Sequence, residues 1–155
     1  MGVIFLFYKK LTVGFLIVSL LLVSCTPKKT IQKGDAYTVL EQILLQFNIE
    51  NGAIYGKNEK ADYLLTDALL ERMFDHAGDL ADFAYVESVA IWFSRRFNEK
   101  EIIVLKLYDL SHQSELLNLL SKRAAKKENA VAFANGIYVY LVCTDQNEVI
   151  MRDLP

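Results

Sequence analysis

The chain has 155 residues, with 17 lysines and arginines against 19 aspartates and glutamates, for a formal charge of −2. That balance lacks the basic excess a nucleic-acid surface needs and argues against such a partner. Two cysteines and two histidines are too few for a disulfide framework or an obvious metal cage.

The N-terminal stretch carries the strongest signal. Lys9 and Lys10 precede an apolar run of 14 residues, 11–24, and Thr26-Pro27-Lys28-Lys29 follows it. A helix that crosses the ~30 Å hydrocarbon core needs ~20 apolar residues, so this run is short for a permanent span. A basic patch, a short apolar segment and small residues before a cysteine make a processing signal. The run ends in Leu22-Val23-Ser24-Cys25, which resembles the lipobox of bacterial lipoproteins. The resemblance implies cleavage after Ser24 and a diacylglyceryl thioether on Cys25. Two acyl chains hold a protein stably on a membrane, at ~0.8 kcal/mol per buried methylene. The apolar segment 1–8 ahead of the lysines also fits an uncleaved N-terminal helix, or a true start further along.

On the lipoprotein reading the chain divides into a signal peptide, 1–24, a lipidated cysteine with its tether, 25–34, and one domain, 35–155. The mature chain then has 131 residues, 15 basic and 19 acidic groups and a formal charge of −4. That length supports one domain with a real core. With lipid on Cys25, Cys143 has no intramolecular partner and reads as a buried small hydrophobe. The tether lysines Lys28, Lys29 and Lys33 can lie against anionic head groups or simply keep the segment soluble.

Along the domain, Asp35 caps a helix starting at Ala36, with Val39, Leu40, Ile43, Leu44 and Phe47 at helical spacing and a stop at Asn51-Gly52. Residues 48–60 read as a loop, and 62–74 as a second helix with Leu65, Ala68, Leu69 and Met73 on one face. Two β-rich runs, 85–97 and 101–108, read as an antiparallel pair joined at Asn98-Glu99-Lys100. Ser111 caps a third helix through about Lys127, burying Leu116, Leu117, Leu120 and Ala124, with Lys122, Arg123, Lys126 and Lys127 at the negative end of its dipole. The Asn135-Gly136 turn precedes a third strand over 137–144, and Asp145-Gln146-Asn147 makes another turn. The tail from Glu148 is a short helix or strand. The order α-α-β-β-α-β predicts an α+β two-layer sandwich with a small mixed three-stranded sheet. Its helices lie on one face, and strands two and three are parallel through a crossover.

Glu101-Ile102, Val104, Lys106 and Asp109 are followed by Leu116, Leu117, Leu120 and Arg123, then by Gly136, Tyr138-Val139, Leu141 and Val142. This pattern resembles the small lipoproteins of Gram-positive bacteria that carry a domain of unknown function behind a lipobox. The resemblance spans roughly residues 36–149. It implies a lipid-anchored, extracytoplasmic α+β domain and supplies no catalytic residues.

Asp75-His76, Asp79 and Asp82 form the densest group of metal-ligand types, but their spacing fits neither a calcium loop nor a zinc site, and no metal or other cofactor is expected. Asp109, Ser111 and His112 include the residue types of a hydrolytic triad without a strained nucleophile turn. No catalytic residue is therefore assigned.

The surplus is aromatic. Alternation puts Tyr138 and Tyr140 on one face of the last strand and Ile137, Val139 and Leu141 on the other. A sheet covered on one side leaves its second face open, so Tyr138, Tyr140, Trp92 and Tyr108 form a candidate binding face. The sequence predicts a binding or accessory module held on the outer face of the cell membrane through lipid on Cys25. Its expected partner is an envelope protein or a small ligand. The alternative is a small envelope hydrolase using His112 or His76.

Overall fold

A computed structural model describes residues 31–74, 83–96 and 100–154. The fold is α+β. Among the described residues, four helices accompany one open mixed sheet of six strands in the order β2-β1-β3-β4-β6-β5. In chain order the elements are α1 (Ala36–Gln46), β1 (Gly52–Gly56), β2 (Tyr63–Leu64), α2 (Asp67–Phe74), β3 (Val86–Ser94), β4 (Glu101–Leu107), α3 (Gln113–Ala124), β5 (Val131–Asn135), β6 (Tyr138–Cys143) and α4 (Asn147–Asp153).

Helix α1 starts where the Asp35 carboxylate accepts the Thr38 amide at 2.7 Å, satisfying a donor that the first turn cannot bond internally. It ends earlier than expected, because Asn48 takes a left-handed conformation at φ 51° just past the Phe47 cap. Val39, Leu40 and Ile43 are fully buried, and each such side chain contributes ~1.5–3 kcal/mol.

Three strands correct the expected three-stranded sheet. Strand β1 lies inside the anticipated loop, β2 inside the anticipated second helix, and β5 inside the segment after the third helix. Each is five residues or fewer, too short for alternation to stand out. Helix α2 consequently starts at Asp67, where the Thr66 hydroxyl accepts the Leu69 amide. Its buried residues are Leu70 and Phe74, while Ala68 is exposed.

The expected crossover is parallel in kind but lands one strand further out. Strand β5 follows α3 and turns back at Gly136, whose φ of 55° suits a residue without a Cβ. Strand β6 then inserts between β4 and β5, antiparallel to both. Strands β4 and β6 are therefore antiparallel, not parallel.

Both faces of the sheet are covered. On one, α1 and α4 pack over Ile54, Trp92, Ile102, Val104, Tyr138, Tyr140 and Val142. On the other, α2 and α3 pack over Ile91, Ile103, Leu105, Val139, Leu141 and Cys143. The central strands read accordingly: all six residues of β6 are buried. This overturns the arrangement with helices on one face. Tyr138, Tyr140 and Trp92 are 2%, 0% and 3% exposed, so the expected open aromatic face lies inside the α1 layer.

One charge lies within the second core. Glu101 is 0% exposed, and its two oxygens accept from Arg123 at 2.8 and 2.7 Å. Lys127 stands 3.5 Å away. Arg123 also donates to the Met73 carbonyl and lies 5.6 Å over the Phe74 ring. One guanidinium thus ties β4, α3 and α2 together.

Candidate functional site

The ends of the strands carry what the covered faces do not. A cleft of about 280 Å³ opens where α1 begins, between the β1–β2 connection and the start of β3. Asp35, Tyr37, Lys57, Asn58, Glu87 and Ser88 bring polar groups to it, and Phe83, Val86 and Val89 supply apolar wall. A small concave site that pairs an apolar wall with a few placed polar groups is the form ligand sites take.

Most of these polar groups are held by the fold. Ser88 Oγ accepts the Ala36 amide at 2.9 Å, docking the start of α1 onto β3. Asn58 donates to the second Asp35 oxygen at 3.4 Å, while its own oxygen accepts the Lys60 amide at 2.9 Å. Tyr37 donates to the Lys60 carbonyl at 3.2 Å. Glu87 pairs with Lys106 at 2.7 Å, and Lys57 pairs with Asp67 at 3.3 Å.

These contacts set the protonation of the site. Burial alone would push the Asp35 carboxyl up, but the hydrogen bonds from Thr38 and Asn58 and the charge of Lys60 outweigh it. Asp35 therefore lies below its ordinary value and is ionised at neutral pH. Burial and the nearby Glu41 and Asp62 carboxylates push the Tyr37 phenol up. The hydrogen bond to Glu87 holds the Lys106 ammonium above its ordinary value despite desolvation. The cleft thus presents an ionised carboxylate, an ion pair and a neutral phenol, an arrangement suited to holding a polar group.

The predicted site residues separate. Tyr108 is exposed at 66% and its amide donates to the Tyr85 carbonyl, whereas Tyr138, Tyr140 and Trp92 are buried. His112 stacks on Tyr85 with ring centroids 3.3 Å apart, and its Nδ1 meets Glu115 at 2.6 Å. Asp109 accepts the Ser111 amide at 2.7 Å. The Ser111 side chain, and then its amide, hold the Asp109 carboxyl below its usual range. Helix α3 begins one residue later than expected, with His112 rather than Ser111 at the cap and no side-chain cap bond. Asp109, Ser111 and His112 are thus engaged in a turn and a helix start, not in a relay. Asp75, His76, Asp79 and Asp82 lie outside the described residues, as do Cys25 and the lipobox residues Leu22, Val23 and Ser24. Among the described residues, no group of three or more metal-ligating side chains forms, and no helix is long and apolar enough to cross a membrane.

Sequence reasoning found Asp35 as a cap and missed the rest of the cleft. Its walls come from the start of α1, the β1–β2 connection and the start of β3, segments distant in sequence that no single periodic pattern joins. The one available signal was Asn58 between Lys57 and Lys60 at a turn flanked by tyrosines. Compared with family models, curated proteins and solved structures, the chain matches none.

Proposed function

We propose that this chain is a lipid-anchored, extracytoplasmic binding module that docks a polar ligand or a side chain of an envelope protein in the cleft at the start of α1. The observation that carries the reading is the cleft itself: an apolar wall beside polar groups whose conformations are set before anything binds. A pre-organised site loses little freedom on binding, which favours recognition. The lipobox-like Leu22-Val23-Ser24-Cys25 supports attachment to the membrane, where the cleft would face envelope components. The carboxylates of the cleft are occupied by a helix cap and an ion pair, which favours binding over proton transfer.

The test is crosslinking of the full-length protein in cells, followed by affinity purification from membranes and mass spectrometry. Lys57→Glu reverses a charge on the exposed rim and leaves the core untouched. It should lower recovery of the crosslinked partner at least fivefold by the like-charge contacts it creates. Arg152→Glu, at an exposed site on α4, should not. Equal recovery from both variants, or no partner above background, would sink the cleft as the docking site. Cys25→Ser should release the protein from membranes, and retention would count against the lipid anchor.

A further inference from the structure

The two edges of the sheet differ. At one edge, β2 is only two residues long and runs parallel to β1. Charged Lys57, Lys60 and Asp62 precede it in the sequence. A short edge strand guarded by charges is how proteins block pairing with another chain. The other edge is β5, Val131-Ala132-Phe133-Ala134-Asn135. It has a neighbour only on its β6 side among the described residues. It contains no charge and no proline, and only Asn135 at its end, whose side-chain amide donates to the Leu154 carbonyl at 3.4 Å, is exposed. The usual protections are missing here.

The centre of β5, Ala132-Phe133-Ala134, also matches its own reverse. Antiparallel pairing about a two-fold axis at Phe133 sets Phe133 against Phe133, Ala132 against Ala134, and Val131 against Asn135 of the second copy. No like charges meet across such a ladder, and the small Ala132 and Ala134 leave room for the partner backbone. The aromatic at the axis is already supported from within, since Phe133 stacks on Tyr140 at 5.0 Å. Val149 of α4, 40% exposed, belongs to the same edge, because the opening of α4 and the start of β5 line one shallow groove. A register-matched, uncharged edge of this kind is complementary to itself.

We propose that β5 is a homodimerisation edge: two copies pair antiparallel through Val131–Asn135 about Phe133, extending the six-stranded sheet into one continuous twelve-stranded sheet. Five residues a side form a small interface, so the dimer is reversible in solution.

The pairing makes a register-specific prediction. Val131 and Asn135 face each other across the interface twice, once on each side of the axis. Val131→Lys with Asn135→Lys therefore sets lysine against lysine in both places, whereas Val131→Glu with Asn135→Lys sets opposite charges there. Sedimentation equilibrium of the full-length chain in density-matched detergent micelles reads the association. The wild-type chain should show a monomer–dimer equilibrium, the lysine–lysine variant a dissociation constant at least tenfold weaker, and the glutamate–lysine variant a constant within about threefold of wild type. Emission from Trp92, the single tryptophan, checks that both variants retain the native core. The two variants carry the same number of substitutions at the same positions, so a folding defect would not separate them. A chain that stays monomeric into the millimolar range, or a dimer indifferent to the lysine–lysine variant, overturns the proposal.

Discussion

Tyr140 gives a sharp test of the core. It is 0% exposed, and its hydroxyl finds no hydrogen-bond partner among the described residues. A buried hydroxyl without a partner costs ~1–3 kcal/mol. Tyr140→Phe removes that oxygen and keeps the ring, which stacks on Phe133 at 5.0 Å and on Tyr138 at 6.0 Å. The variant should gain about 1 kcal/mol, or ~3–5 °C in melting midpoint for a domain of this size. A second signature appears at high pH. Burial, helped by Tyr138, pushes the Tyr140 phenol above its ordinary value of 10.0. A raised folded-state pKa contributes stability that is present below the unfolded value and lost as pH rises towards the folded one. Wild type should therefore lose up to ~1.4 kcal/mol per pH unit at this group above about pH 10, and the variant should not. The neighbouring Tyr138→Phe should behave in the opposite way. Its hydroxyl donates to the Gly34 carbonyl at 2.7 Å and accepts the Gly34 amide at 3.1 Å, so its loss should cost ~1–3 kcal/mol. Urea titrations at neutral and alkaline pH, followed by circular dichroism, measure both. A Tyr140→Phe variant less stable than wild type at neutral pH would mean the hydroxyl is satisfied, and would refute the reasoning.

Four further variants probe the frame. Asp35→Ala removes the α1 cap and should cost ~1 kcal/mol at neutral pH. Because the Asp35 carboxyl lies below its ordinary 3.8 when folded, its stabilisation is present above that value and lost as pH falls through the lowered one. The difference between variant and wild type should therefore shrink in urea titrations carried below about pH 3. Arg123→Ala leaves Glu101 buried without its bidentate partner and should cost ~3–5 kcal/mol in chemical denaturation. Glu101→Leu with Arg123→Met should recover most of that loss. Gly52→Ala would set a Cβ 2.0 Å from the Trp92 indole nitrogen, so the ring must move. A loss of ~1–3 kcal/mol and red-shifted tryptophan emission are expected.

Long periodic segments were legible. The spacing of Val39, Leu40 and Ile43 located α1, that of Leu116, Leu120 and Ala124 located α3, and Asp35 marked a start where it does cap. The β-rich runs located β3, β4 and β6. Short elements were not legible, because a two-residue β2 or a five-residue β1 contains too little pattern to outweigh its glycines and charges. Their stability comes from neighbours: Ile54 in β1 pairs with Trp92 and Tyr55 with Ile91, contacts distant in sequence. The cleft shares part of that opacity, since Lys57 and Asn58 stand on the β1–β2 connection, and it forms only when that connection meets α1 and β3.

The tyrosines show how one miscounted sheet reverses a functional reading. Alternation placed Tyr138 and Tyr140 on one face and Val139 and Leu141 on the other, as the structure does. The error lay in leaving one of those faces open. A strand that meets water on one side alternates polar with apolar, whereas Tyr138-Val139-Tyr140-Leu141-Val142-Cys143 and Ile102-Ile103-Val104-Leu105 run unbroken. Unbroken apolar runs belong to strands covered on both faces. Within such a run a tyrosine is core, held by a hydroxyl contact such as that of Tyr138 with Gly34, or left without one among the described residues, as at Tyr140. With both faces covered, the strand ends and the sheet edges are what the described residues leave open, and the proposed cleft at the start of α1 and the proposed pairing at the uncharged β5 lie there.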